Sequence, residues 1–350
     1  VQTCALPIFI IQTGLILGGT KFMETTKPTK KFNSTAIIGV LAFSAFLAVF
    51  NETILNVALS PLMKEMNVTA GTVQWIITAY IIVISVMVPI TAFLIQTFET
   101  KHLFLGAMTL LLLGTICAAC SGSFAMLLVS RMLQASGTGM MIPLLMNTVL
   151  LVTPPEKHGA AMGICGCVIS IGPALGPTVS GILLQFFSWH ALFIMLIPLI
   201  LIAMILGSIY LVNVSTLTRP KIDFISIILS SIGIGGVIYG ISSFSGDENM
   251  KIISLIFIVG IISLIMFVKR QLSLKEPMLE MRIFKYPLFS VGVVLVMLTM
   301  MTMFTMNVML PMFLQGALKT TTFVATIVLL PASLACGIVT PIGGKIYDKF

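Results

Sequence analysis

Apolar runs separated by short polar breaks set the rhythm of this chain. Ten runs stand out, at 36–62, 73–97, 103–119, 124–151, 160–187, 191–212, 224–244, 252–268, 289–315 and 323–343. A helix needs about 20 apolar residues to cross the hydrocarbon core of a bilayer, and each run is close to that length. None follows the strict apolar–polar alternation of a barrel strand. The third and fourth runs are divided only by Cys120-Ser-Gly-Ser123, a tight polar turn. The pattern predicts an all-α polytopic membrane protein with ten membrane-spanning helices.

Composition agrees with that prediction. Of the 350 residues 58% are hydrophobic and 9% are charged, whereas a soluble domain carries roughly 25% charged residues. The net charge of +8 would point to nucleic acid in a soluble protein. Here the bases sit in short loops, so nucleic acid is excluded as a partner and the bilayer takes its place. If the segment before the first run lies inside the cell, the outer loops hold only Lys64, Lys251 and Lys319. All other loop Lys and Arg then fall inside, as the positive-inside rule requires. Both ends of the chain are expected on the cytoplasmic face of a bacterial inner membrane.

The domain reading follows from the breaks. Residues 1–22 are expected to be an upstream or non-native segment, because residues 1–8 resemble a translated sequencing adapter and Met23 opens a basic tail, 23–35. Residues 36–212 form an N-terminal bundle of six helices, and 213–268 two added helices. Residues 269–287, rich in charge and carrying Pro277 and Pro287, read as a cytoplasmic linker to a second bundle that starts at 288. A weak repeat relates Asn56-Val-Ala-Leu-Ser-Pro61 to Asn307-Val-Met-Leu-Pro311. Repeated halves with a site between them are common in transporters.

Two charges stand at membrane depth. Glu52 is the one acid in a long apolar run and Arg131 the one base. Ionisable groups so placed are costly and mark ion or substrate pathways by default. Opposite charges in an otherwise apolar protein point to movement of a charged species, most simply a proton. The guanidinium keeps its charge permanently, and a desolvated carboxylate is suited to carry a proton near neutral pH. Six cysteines, Cys117-Ala-Ala-Cys120 among them, lie in apolar stretches without neighbouring His or carboxylate clusters. No metal, cofactor or enzyme motif emerges.

The most specific motif is in the fifth run: Gly163-x8-Gly172-Pro173-Ala-Leu-Gly176-Pro177-Thr-Val-Ser-Gly181. Gly172, Gly176 and Ser180 recur every four residues and strip one helix face, so a neighbouring helix can come close. The prolines remove backbone donors and bend the helix.

With these residues the chain resembles the major facilitator superfamily, and within it the fourteen-helix drug:proton antiporters. The Gly-Pro spacing resembles their antiporter signature. Arg131-Met-Leu-Gln134-Ala-Ser-Gly137-Thr-Gly139 resembles the motif whose arginine is linked to proton coupling. Phe50-Asn-Glu52-Thr-Ile-Leu-Asn56 resembles the helix-one motif, its acid displaced from Asn51 to Glu52. Gly344-Lys-Ile-Tyr-Asp348-Lys349 matches the cytoplasmic gating motif, whereas its earlier copy has Ala92 and Gln96 in place of Gly and Asp and keeps only Lys101.

The resemblance implies a monomeric exporter of small lipophilic or cationic drugs in exchange for protons, working by alternating access without a cofactor. Glu52 and Arg131 would couple the proton, and Asn56, Trp75 and Gln134 would line the substrate cavity. It also implies four further helices beyond residue 350. The alternatives are an exporter of one metabolite or lipid, and a non-transporting membrane sensor or anchor.

Overall fold

The computed structural model describes residues 33–214, 217, 223–243, 250–274, 277, 279–318 and single positions at 328, 331, 335, 339, 340, 342, 343, 346 and 348. Helices make up its regular structure among these residues: α1 (Ser34–Thr53), α2 (Leu59–Glu65), α3 (Ala70–Thr97), α4 (Thr100–Ala119), α5 (Phe124–Val152), α6 (His158–Phe186), α7 (His190–Tyr210), α8 (Phe224–Ser243), α9 (Met250–Ser273) and α10 (Pro287–Gly316). The polar breaks supply the caps. Asn33, Thr69 and Ser123 each accept from the backbone N–H three residues on, which opens α1, α3 and α5.

Eight of the described helices are long and apolar enough to cross a membrane, and they cover the first eight expected runs. The ninth run coincides with α10, whose described apolar stretch, Pro287–Thr302, is shorter. The tenth lies outside the described residues except for single positions. The eighth extends past its expected end, because α9 continues to Ser273 and takes in Lys269 and Arg270.

The first run is not one continuous helix. Its α-helix ends at Thr53, a tight 3-10 turn covers Ile54–Val57, and α2 restarts at Leu59. Pro61 accounts for the restart. Without an N–H it cannot bond the carbonyl four residues back, and it is best accommodated in a first turn, where α2 places it. The consequence lies upstream, where the last carbonyls of α1 become available to other donors.

α5 stands at the centre and packs against α1, α3 and α4, while α1 also contacts α6 and α7. One large apolar cluster joins these elements, with Phe104, Leu144, Leu196 and Ile200 fully enclosed. α8 and α9 pair with each other, and α8 lies along α3. Gly236 meets Gly260, where an added Cβ would sit 3.1 Å from its Cα, so the two backbones nearly touch. The outward faces of α7, α8 and α9 present Ile205, Ile228 and Leu255, an apolar surface that suits lipid.

Candidate functional site

Where α1 breaks, Arg131 of α5 meets it. Arg131 is 0% exposed, so it does not reach along its stem to an interface. Its Nη1 donates to the main-chain carbonyl of Asn51 and to Gln134 Oε1, both at 3.0 Å. Its Nη2 donates to the main-chain carbonyl of Glu52 at 3.2 Å. These carbonyls form the last turn of α1, the partly negative end of the helix dipole. The guanidinium thus caps a helix terminus inside the bundle and supplies donors that the 3-10 turn cannot.

Polar side chains from four helices hold this arrangement. The Arg131 guanidinium carbon lies 3.9 Å from the centre of the Tyr80 ring. Tyr80 hydroxyl shares a 2.8 Å hydrogen bond with Thr138 and accepts from Asn51 Nδ2 at 3.3 Å. Gln134 Nε2 donates to Thr115 Oγ1 at 2.9 Å, and Thr115 donates on to the Leu111 carbonyl. Asn51, Tyr80, Thr115, Gln134 and Thr138 are all buried. Buried Asn51 Oδ1 and Arg131 Nε have no hydrogen-bond partner among the described residues.

Glu52 is half-buried rather than enclosed. One step along a helix turns a side chain by about 100°, so Asn51 takes the interior position and Glu52 the next one round. The contact described between Arg131 and Glu52 is through the Glu52 main-chain carbonyl.

The glycine face of α6 lies against α1 just before the break. An added Cβ at Gly172 would stand 3.1 Å from Val49 Cγ1, and one at Gly176 would collide with Thr53 Oγ1. Ser180, one turn further, is buried. Gly163 is also buried, and Pro173 and Pro177 sit half-buried inside the unbroken helix. At Gly181, the last glycine of the motif, nothing lies within 4 Å of where a Cβ would be. It is on another face, one residue past Ser180.

Two cavity candidates are placed elsewhere. Asn56 is exposed in the 3-10 turn and has no described hydrogen bond to the polar centre. Trp75 is half-buried and packs on Tyr239 of α8, ring centres 5.3 Å apart. An apolar neighbour outside the six-helix bundle had claimed it, which periodicity within one helix cannot reveal. Gln134 alone of the three joins the centre. Tyr80, Thr115 and Thr138 were missed as members. Their signal was a polar atom at membrane depth, a weak one because a helical Thr satisfies itself on its own backbone.

The gating motif is represented by Asp348, whose carboxylate accepts from the backbone N–H groups of Gly159 and Ala160 at 2.6 and 2.7 Å. It caps the start of α6, where the helix dipole favours an anion. Lys101 is half-buried in the first turn of α4, and Gly344 and Lys349 lie outside the described residues. At another set of loops Trp189, 2% exposed, donates to Glu65 at 2.9 Å, and His190 stacks on it. Trp189 is thus a buried tie between chain segments rather than an exposed anchor. Among the described residues no group of His, Cys, Asp or Glu could hold a metal ion.

Known proteins with this pattern can now be compared. Lincomycin resistance protein LmrB of Bacillus subtilis (strain 168) is 43% identical over 332 residues, which cover 94% of this chain and 69% of that protein. The lincomycin resistance protein LmrB of Listeria monocytogenes serovar 1/2a (strain ATCC BAA-679 / EGD-e) is 39% identical over 323 residues, covering 92% and 68%. In fold, the crystal structure of the human organic anion transporter MFSD10 superposes with a TM-score of 0.52 at 14% identity, over 91% of this chain and 87% of that one. The sequence profile of the Major Facilitator Superfamily matches residues 41–350. On this evidence the chain is a multi-span membrane transporter, not an enzyme, and belongs to the major facilitator superfamily.

Proposed function

We propose that this protein is a proton-coupled exporter of lipophilic or cationic drugs in a bacterial cytoplasmic membrane, with both ends of the chain inside. The observation that carries the reading is the fully buried Arg131, held on the broken end of α1 beside Glu52. A permanent positive charge there has a different energy when Glu52 is ionised than when it is protonated. Protonation of Glu52 weakens the attraction across α1 and favours one packing of the bundle, and loss of the proton favours the other. Such a bistable element is what a bound proton must bias to drive alternating access.

Three further features support it. The bare face of Gly172 and Gly176 lets α1 and α6 lie close and shift against each other without side chains in the way. Asp348 on the start of α6 fastens one gate, and its release opens the path. The two relatives compared above are named for resistance to lincomycin, which supports a drug as cargo.

The test is Glu52→Gln in inverted membrane vesicles, with lincomycin and the lipophilic cation ethidium as probes. Movement driven by a pH gradient is expected to be lost while the protein remains in the membrane. Wild-type rates in this variant would remove Glu52 as the proton carrier. A wild type that moves a single metabolite with protons and ignores both probes would replace the drug reading.

A further inference from the structure

Arg131 is held by the Tyr80 ring in a different way from the other groups around it. Its three hydrogen bonds end on two main-chain carbonyls and one amide oxygen, all neutral acceptors that water offers equally well. A long side chain with Gln134 on its own helix has no reason from these contacts alone to remain flat against α1. The missing restraint is an aromatic face. Tyr80 lies on α3, 1% exposed, with its ring centre 3.9 Å from the guanidinium carbon. A guanidinium over a ring face is attracted by the ring quadrupole, most strongly where water is absent.

The ring is itself held. Its hydroxyl meets Thr138 on α5, two turns along from Arg131, and Asn51 on α1. Tyr80 thereby touches the helix that carries the charge and the helix that receives it, from a third helix that carries neither. Any slide of α1 against α5 strains the hydroxyl contacts and the ring contact together. The ring is therefore a clamp sensitive to any shift of α1, the helix that the transport reading sets in motion.

We propose that Tyr80 is the positioning residue of the coupling site: it keeps the Arg131 guanidinium on the broken end of α1 and transmits changes at Glu52 to the contact between α1 and α5. The inference rests on the proton-coupled reading above. It assigns Tyr80 no contact with substrate.

The test separates coupling from folding. Inverted vesicles are loaded with lincomycin or ethidium, and two rates are compared: movement driven by an imposed pH gradient, and exchange of labelled for unlabelled probe without one. Exchange needs the bundles to rock but no net proton transfer. Tyr80→Leu is expected to slow gradient-driven movement about tenfold, the equivalent of ~1.4 kcal/mol, with exchange within about twofold of wild type. Tyr80→Phe, which keeps the face and loses the hydroxyl, should recover most of the driven rate. Thr138→Val, nearly isosteric and fit to fold even if Tyr80→Leu is not, should lower driven movement alone by about threefold, the loss of one hydrogen bond.

Driven movement at the wild-type rate in Tyr80→Leu, or in Thr138→Val where the leucine variant does not fold, overturns the positioning role. So does a parallel fall of both rates, which is the mark of a purely structural residue. A wild type that moves neither probe with a gradient overturns the transport reading, and this inference with it.

Discussion

The bundle around Arg131 and the added pair α8–α9 use the same parts to opposite ends. Each has a seam where small residues bring helices together and an arginine near the end of that seam. In the bundle, α6 lies on α1 through Gly172 and Gly176, and the helix it meets breaks at Thr53. Arg131 is enclosed there, and its described hydrogen bonds go to neutral acceptors. In the pair, Gly236 and Gly260 join two unbroken helices. Arg270 is half-exposed at the seam's end and forks onto Asp223, with Nε and Nη2 each 2.9 Å from a carboxylate oxygen.

The contrast separates a fastener from a sensor. A bidentate guanidinium–carboxylate pair is directional and self-neutralising, so Arg270 and Asp223 report little beyond themselves. Arg131 has no such neutralisation from its hydrogen-bond partners, so its field remains available to Glu52. Gln271, 0% exposed, extends the fastener by donating to Ser226 at 2.7 Å and accepting from the Leu279 N–H at 3.0 Å. Leu279 also packs with Phe267, Leu229 and Ala92 of α3. The pair thus ties the segment that follows it to the side of the bundle.

The largest expected effect breaks the bundle's seam. Gly176→Leu would drive a side chain into Thr53, including its backbone carbon at 3.3 Å from the new Cβ. Overpacking costs typically 1–3 kcal/mol and occasionally more, and a rigid helix end gives little. We expect a loss of about 3 kcal/mol or more, read as thermal unfolding in detergent. Gly181→Leu, five residues on, points into open space and should change stability by less than about 0.5 kcal/mol. Equal losses from the two would mean that the α1–α6 contact is not the seam described here.

That pair of glycines also shows what the sequence can and cannot tell. Spans were legible because lipid imposes one composition and one length on every crossing helix. Arg131 and Gln134 were legible because a polar residue at that depth must find partners. The choice of partners was not legible. A guanidinium can be satisfied by a carboxylate or by freed carbonyls, and only the break at Ile54–Val57 decides between them. Asn56 lies exposed in that same break, which its place in the apolar run does not announce. Trp75 found Tyr239 because α8 packs on α3, a contact between distant segments that no local period encodes. Gly181 completes a motif in sequence but lies on a different helix face.

A middle-sized effect tests whether α8–α9 is only a fastener. Gln271→Leu keeps the volume and leaves the buried Leu279 N–H without its acceptor. An orphaned buried donor costs about 1–3 kcal/mol. Thermal unfolding should fall accordingly, and export per folded molecule should be unchanged, because α9 contributes nothing to the Arg131 centre. A fall in export per folded molecule would place the added pair in the transport cycle itself and dissolve the contrast.

The smallest effect concerns pH. The Arg270 hydrogen bonds, and after them those of Ser226, hold the Asp223 carboxyl below its ordinary value. A carboxyl depressed in the folded state is ionised there before it is in the unfolded chain. Its contribution is therefore complete above the ordinary aspartate value of about 3.9 and fades as pH falls through the lower folded value. Between pH 5 and 8 the fastener is silent, which roughly spans the range where a transport cycle must sense protons. Unfolding temperature measured against pH should show Asp223→Asn below wild type by a constant gap near neutrality. The two curves should begin to converge below about pH 4 and close as pH falls through the lower folded value, where the native carboxyl loses the charge that the variant lacks. The pH dependence of export should be the same in both proteins. If Asp223→Asn moved that dependence, protons would be sensed at the helix pair as well as at the bundle, and Arg270 would be a second Arg131.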